Sequence, residues 1–407
     1  MKKKRVFFAI HYLEIGGVET SLIGLLQSFD YQKYNVDLFI HAHHGELMQY
    51  IPKEVNLLPE IKEYAQLERP IKLVILDGYW KIAYTRLKAK RLHRSYILSL
   101  SAKKDDISEG QYAARSLTPY LPSLYSFGEY DIAISYLHPH NYVLEKVNAK
   151  KKICWIHTDY SSVNVNPILE LPIWQGYQHI MSISPEVTKS FVNVFPSLQD
   201  KIVEMENILS PDLVRNRAEE FNARKELEMV SNNSSQPTIL LSMGRFSHAK
   251  NFDNIPDICK RIINLGQNIV WYVIGYGREE NKICEKIHET GMENHVFVLG
   301  KRTNPYPYIK ACDIYVQPSR YEGKSISVRE AQILYKPTII TDYPTAKSQI
   351  KDGIDGIIVP LGNEECAKGI VKFIHNRHLR SSISEYLQSH DYGNQKDIYR
   401  FYKVIEE

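Results

Sequence analysis

A strand that runs into a glycine turn and then a helix occurs twice in this chain, and each time a β-α alternation follows. Val6 to Tyr12 is an apolar run of strand length, and Gly16-Gly17 supplies a sharp turn. Thr20 to Phe29 then carries Leu22, Leu25, Leu26 and Phe29 on one helical face. Further strands are expected at Val36 to His41, Ile132 to Tyr136, Lys152 to Ile156 and His179 to Ile183. Short unbroken apolar runs of this kind mark parallel strands covered on both faces. The polar run Ser231 to Pro237 reads as a loop, and after it the pattern restarts with Thr238 to Gly244. Strands follow at Ile269 to Ile274, His295 to Leu299, Ile314 to Gln317, Thr338 to Thr341 and Gly356 to Val359. Helices are expected between them at Asn254 to Leu265, Glu279 to Glu289, Tyr306 to Lys310, Ser327 to Leu334 and Glu364 to His375. The end, Asn394 to Glu407, reads as one more helix, with Ile398, Phe401, Tyr402 and Ile405 on its apolar face. At 407 residues the chain exceeds what one core usually holds. Two open α/β domains with a ligand cleft between them are therefore expected.

Several classes are excluded. A net charge of +4 is too mild for a dedicated nucleic-acid binder. The basic start, Met1 to Arg5, and the apolar run after it meet His11, Glu14 and Glu19 too soon for a signal peptide. No apolar stretch is long enough to span a membrane. The 5 cysteines are scattered without metal-ligand spacing, which fits buried thiols in a reducing compartment. The less regular region from Pro59 to Gly128 holds a cationic stretch from Lys81 to Arg94. Within it Trp80, Ala83, Tyr84 and Leu87 fall at helical spacing on one face.

Three loops carry candidate chemistry. Gly16-Gly17 lets backbone approach a ligand and exposes a helix N-terminus to an anion, though a plain tight turn has the same sequence. Gly244 to Asn251 places Arg245 and Lys250 past a strand end, where a guanidinium and an ammonium suit phosphate oxygens; a solvated basic loop is the alternative. Glu322-Gly323-Lys324-Ser325 leads into a helix whose open amides suit a diphosphate. Glu330 lies about two helical turns beyond Glu322, roughly 10–12 Å away by helical rise. That is too far for an acid/base pair on one glycosidic bond, so the two glutamates fit opposite ends of one long ligand. Gly275-Tyr276-Gly277 resembles half of a dinucleotide fingerprint. Glu279 and Glu280 follow it and would repel phosphate, so a structural turn is expected there.

Together these loops resemble retaining glycosyltransferases of the GT-B fold, in particular glycosyltransferase family 4. The stretch Ser319 to Ala331 is similar to that family's E-x7-E signature. Gly244-Arg245 with Lys250 is similar to its phosphate-binding pair, Gly16-Gly17 to its N-terminal glycine loop, and Met205 to Ile208 to the start of its interdomain linker. The resemblance implies an acceptor-binding Rossmann-like domain over 1–208 and a donor-binding one over 209–385. It also implies a last helix within 386–407 that crosses back to the first domain. It assigns Arg245 and Lys250 to the donor diphosphate, Glu322 to the donor-sugar hydroxyls and Glu330 to the nucleotide ribose. Gly323, Lys324, Ser325 and Ile326 form the phosphate nest. His157 stands beside the donor sugar, and Arg302 and Thr303, in the loop Gly300 to Asn304, meet the base. One departure is Glu322-Gly323-Lys324-Ser325, where the family often has Glu-Gly-Phe-Gly.

The implied reaction transfers a hexosyl or N-acetylhexosaminyl group, with retention, from a nucleoside diphosphate sugar to a saccharide or lipid-linked acceptor. Bacterial surface polysaccharides such as capsule or lipopolysaccharide are the expected products. No metal and no other cofactor are expected, since cationic side chains and amides can hold the diphosphate. An alternative is a non-transferring enzyme of the same architecture, such as a nucleotide-sugar epimerase. Another is an inactive nucleotide-sugar-binding protein. The expected place is the cytoplasm. The basic helix near Trp80 would dock on an anionic membrane surface, or be a solvated basic face.

Overall fold

The computed structural model describes residues 3–14, 16–98, 105–106, 108–161, 163–231, 236–322 and 324–407. The chain divides into two compact units, Met1–Leu209 with Asn394–Glu407, and Ser210–Gly393.

The first unit holds β1 (Lys4–Ile10), β2 (Tyr34–Ile40), β3 (Asn56–Leu57), β4 (Asp105–Asp106), β5 (Tyr130–Ser135), β6 (Ala149–Ile156), β7 (Val163–Asn164), β8 (His179–Ser182) and β9 (Ile202–Glu204). Seven of them form one sheet in the order β3-β2-β1-β5-β6-β8-β9, and β4 pairs with β7 apart from it. All pairings in the large sheet are parallel. Val6 to Ile10 are buried without alternation, because helices cover both faces of a parallel sheet. β1 lies between β2 and β5, at the centre of the sheet.

The second unit adds β10 (Thr238–Met243), β11 (Ile269–Ile274), β12 (Val296–Gly300), β13 (Ile314–Gln317), β14 (Thr338–Thr341) and β15 (Ile357–Val359). They make a parallel sheet in the order β12-β11-β10-β13-β14-β15. The helix Ile255–Asn264 shows how such elements arise. Ile255, Ile258, Cys259 and Ile262 are buried at i, i+3, i+4 and i+7, and the polar residues face out. In both units the strand order reverses beside the first strand. The crevice at such a switch point, beyond the strand C-termini, is where doubly wound sheets bind ligands. It lies between the ends of β1 and β5 in one unit and of β10 and β13 in the other.

Some expectations are revised. The second unit runs to Gly393, because the helix Arg377–Ser389 buries Ile383 and Leu387 in that unit's core. The last helix is Ile398–Glu406. It buries Ile398, Phe401, Val404 and Ile405, while Tyr402 lies half-buried, stacked on Tyr34 with centroids 5.3 Å apart. In the helix Trp80–Ile97, Ala83 turns inward with Ile82 and Ala89, whereas Trp80, Tyr84 and Leu87 face solvent. The polar loop before β10 falls largely outside the described residues. Four cysteines are buried and free, and Cys284 is exposed. No helix among the described residues is long and apolar enough to cross a membrane.

Candidate active site

The order β10-β13 places the loops after these two strands side by side, and their backbones are bonded together. Arg320 N–H donates to the Ala249 carbonyl at 2.8 Å, and Asn251 Nδ2 donates to the Pro318 carbonyl at 2.8 Å. Asn251 is buried in the left-handed region at φ 62°, a conformation that asparagine tolerates better than most residues. This turn directs Lys250 toward the opposite loop, where Nζ meets Glu322 Oε1 at 2.5 Å. Ser319 Oγ donates to the same carboxylate oxygen at 2.7 Å, and Thr345 Oγ1 donates to the Glu322 carbonyl at 2.7 Å.

A second brace fixes the loops from below. Arg320 forks onto Asp253 at 3.0 and 3.1 Å and also donates to the His248 carbonyl at 2.6 Å. Lys282 reaches the same carboxylate at 2.7 Å. Burial pushes the Asp253 carboxyl up, but Arg320 and Lys282 outweigh it and hold the group below the usual carboxylate range. Arg245 is exposed on the same loop as Lys250, and among the described residues no carboxylate pairs with it.

Gly323 lies outside the described residues. Beyond it Lys324 is exposed, and Ser325 is buried, with its N–H given to Gln349 Oε1 at 3.1 Å. The helix Ile326–Ile333 starts there without a side-chain cap. Among the described residues its first backbone bond runs from Arg329 N–H to the Ser325 carbonyl at 3.4 Å. The amides of Ile326, Ser327 and Val328 therefore precede the helical ladder, as anion-binding helix starts require. On the next turns Glu330 is buried and accepts from Tyr306 Oη at 2.8 Å. Burial pushes its carboxyl up to about 7, against the pull of Tyr306 and Arg217.

The loop expected to meet a base is held by the buried Arg217. Its Nη2 donates to the Thr303 carbonyl at 2.8 Å, and its guanidinium lies 5.1 Å from the Tyr306 ring centroid. The Arg302 side chain turns to Glu226 at 3.0 Å and lies over Tyr308. Gly275 and Gly277, expected to form a structural turn, also serve packing. A Cβ at either would lie 1.9 Å from the Gly244 oxygen or 2.4 Å from the Phe246 oxygen, so the two loops pack backbone to backbone.

In the first unit, Gly16 precedes and Gly17 begins the helix Gly17–Gln27. The Glu19 carboxylate folds back over Gly16, 2.2 Å from where a Cβ would stand, so this helix start already has an anion of its own chain beside it. His157 follows β6 and packs on Tyr136 at 4.9 Å and Trp155 at 6.4 Å. Both its ring nitrogens are buried, and among the described residues no hydrogen bond of ordinary geometry reaches them. Burial drives its pKa down to about 3, and the imidazole is neutral.

Sequence reasoning missed a further cluster. A cavity of about 350 Å³ at the ends of β1 and β2 is lined by His11, Tyr12, His41, His44, Glu68 and Arg69. His11 Nδ1 pairs with Glu68, the His11 and His41 rings stack at 4.8 Å, and burial keeps His41 neutral. A signal existed: His11 and His41 are the first residues after two apolar runs that pair Ile10 with Ile40.

Residues 223–390 match the model of a family described as glycosyl transferases group 1. An uncharacterized glycosyltransferase of Methanocaldococcus jannaschii is 24% identical over 220 residues, 52% of either chain. The amylovoran biosynthesis glycosyltransferase AmsD of Erwinia amylovora is 28% identical over 38% of this chain and 44% of its own. The poly(ribitol-phosphate) alpha-N-acetylglucosaminyltransferase of Staphylococcus aureus is 24% identical over 35% and 29%. The chain thus spans about half or less of the length of these curated relatives. Among solved structures, Anabaena HepE in complex with UDP and glucose has a TM-score of 0.63 at 14% identity, over 99% of this chain and 100% of that one. With its two Rossmann-like parallel sheets, the chain has the GT-B fold.

Proposed function

We propose that the chain is a retaining glycosyltransferase. It moves a hexosyl or N-acetylhexosaminyl group from a nucleoside diphosphate sugar to a saccharide or lipid-linked acceptor, in the cytoplasm, during bacterial surface-polysaccharide synthesis. The observation that carries this reading is the meeting of Lys250 and Glu322 beside the uncapped start of the helix Ile326–Ile333. A cation, a carboxylate and free amides at one switch point match a diphosphate joined to a polyhydroxyl group. The relatives' names support the class of reaction, and the HepE complex supports the class of donor.

The barrier in such a transfer is departure of the diphosphate from the anomeric carbon. Charge grows on the phosphate oxygens as that bond lengthens. Lys250, Arg245 and the amides of Ile326 and Ser327 are donors suited to receive it, which lowers the barrier without a metal. Glu322 would exchange part of its bond with Lys250 for hydrogen bonds from sugar hydroxyls. Retention follows a front-face route in which the leaving phosphate takes the acceptor proton, so no covalent nucleophile is assigned. Glu330, deep behind the helix start, would accept from the ribose.

The test is a calorimetric screen of nucleoside diphosphate sugars, followed by product analysis with the one that binds. A glycosylated acceptor and free nucleoside diphosphate are expected. An interconverted sugar nucleotide would make the chain an epimerase, and binding without turnover would make it a binding protein.

A further inference from the structure

The helices Ile71–Leu76 and Trp80–Ile97 pack on Ser108–Leu117 through Val74, Ile82, Ala83 and Leu117. This small core uses one side of the long helix and leaves the other bare. Leu76, Trp80, Tyr84 and Leu87 are 79%, 66%, 70% and 50% exposed. Residues 80, 84, 87, 91 and 94 follow one another at i, i+4, i+7, i+11 and i+14, so they form a single stripe along the helix. Its first half is aromatic and aliphatic, and its second half is Arg91 and Arg94. Lys88 flanks it, while the Lys81 ammonium lies over the Tyr120 ring, 4.3 Å from its centroid.

The charge on this face is one-sided. The helix Trp80–Ile97 contains no acidic residue. Lys88, Arg91 and Arg94 are exposed, and among the described residues no carboxylate pairs with them. Two other cations are accounted for. Lys90 lies 3.4 Å from Glu109, and Arg86 turns inward to the carbonyls of Gln66 and Arg69 at 3.0 and 2.5 Å.

We infer that this face is a docking surface for a membrane rich in anionic phospholipid. Charge complementarity selects the headgroups, and the exposed side chains select the lipid. Trp and Tyr settle at the headgroup boundary, leucines enter the acyl region, and long cationic stems reach back to phosphate. A nucleic acid would meet the same cations but gives Leu76 and Leu87 nothing to enter. The inference stands on this helix pair alone and holds whether or not the chain transfers sugar.

The experiment is co-sedimentation of the full chain with vesicles of equal parts phosphatidylglycerol and phosphatidylcholine, against vesicles of phosphatidylcholine alone. Binding to the anionic vesicles only, weakened by salt, is expected. The charge-reversed variant K88E/R91E/R94E should lose more than about 100-fold in partitioning, since removing three basic residues at about fivefold each already costs that much and the glutamates add repulsion. The variant W80A/Y84A/L87A should also lose most of its binding, which a purely electrostatic nucleic-acid surface would not do. Thermal protection by the nucleotide sugar, measured in the same samples, should be unchanged, and this separates a failed docking surface from a failed donor site. The proposal is overturned if the wild-type chain ignores anionic vesicles at low salt, or if neither variant weakens its binding.

Discussion

Lys250 and Glu322 lie 72 residues apart in the chain and meet in one ion pair, Nζ to Oε1 at 2.5 Å. The strand order explains the meeting. β10 and β13 are neighbours in the sheet although β11 and β12 intervene in the chain, so the loops that follow them face each other.

Loss of either cation in this loop should cost catalysis more than stability. Arg245→Ala and Lys250→Ala are each expected to lower kcat by about 10²–10³, the usual cost of a donor aimed at developing charge. Steady-state kinetics beside thermal unfolding would check this. Wild-type kinetics in both variants would remove the assigned donor site.

The brace beneath the loops should matter without touching substrate. Arg320→Ala leaves the carboxylate of Asp253, which is buried, with Lys282 alone. Turnover is expected to fall about 10²-fold as the phosphate loop shifts relative to Glu322. Arg320→Lys should recover little, because an ammonium cannot make the fork. Full rescue by lysine would reduce the brace to a charge effect.

His157 should act as a neutral group. With its pKa near 3, it carries no proton across the working range, so the pH profile between about 5 and 9 should show no limb that His157→Ala removes. The same variant should reduce transfer while calorimetric binding of free nucleoside diphosphate changes little. Equal loss of both would assign the imidazole to folding.

Glu330 gives a signed pH dependence. Its folded pKa of about 7 stands above the ordinary 4.5 because burial favours the neutral acid. The folded chain thus holds this proton more tightly than the unfolded one. The stabilisation is complete below about 4.5 and is lost as pH rises through about 7. Glu330→Gln should therefore gain on the wild type across that window, by about 3 kcal/mol at most. Unfolding curves of the two proteins at several pH values would show it, and a constant difference would refute it.

Transfer should persist in excess EDTA, because side chains and amides are assigned to the diphosphate. Complete loss, restored by magnesium or manganese, would place a metal in the reaction.

The sheet of the second unit was the most legible part of the sequence. Ile269–Ile274, Ile314–Gln317 and Thr338–Thr341 were bounded correctly, because buried parallel strands are continuous apolar runs that turn residues end sharply. The helix after Glu322 was misplaced by one residue, since it runs over Ile326–Ile333 and not from Ser327 to Leu334. Arg217, Asp253 and Arg320 were not legible. Arg320 and Asp253 are 67 residues apart, and Arg217 and Thr303 are 86 apart. A single distant partner leaves no periodicity. Trp80 and Tyr84 are exposed, as a docking face requires, but Ala83 was wrongly grouped with them, for a different reason. Helical spacing groups Trp80 with Tyr84 and Leu87, but it does not say which side the rest of the unit covers.

The last helix has a consequence for how the chain is made. Phe401 is fully buried against Phe8, Phe29 and Trp155, and Asn394 bonds the backbone at Asn207 and Leu209. A ribosome therefore releases the second unit's sequence whole before it supplies this piece of the first. Until then the hydrophobic seat of Phe401 is uncovered in the nascent chain, and a chain cut just before Asn394 would damage the first unit although the break lies beyond the second.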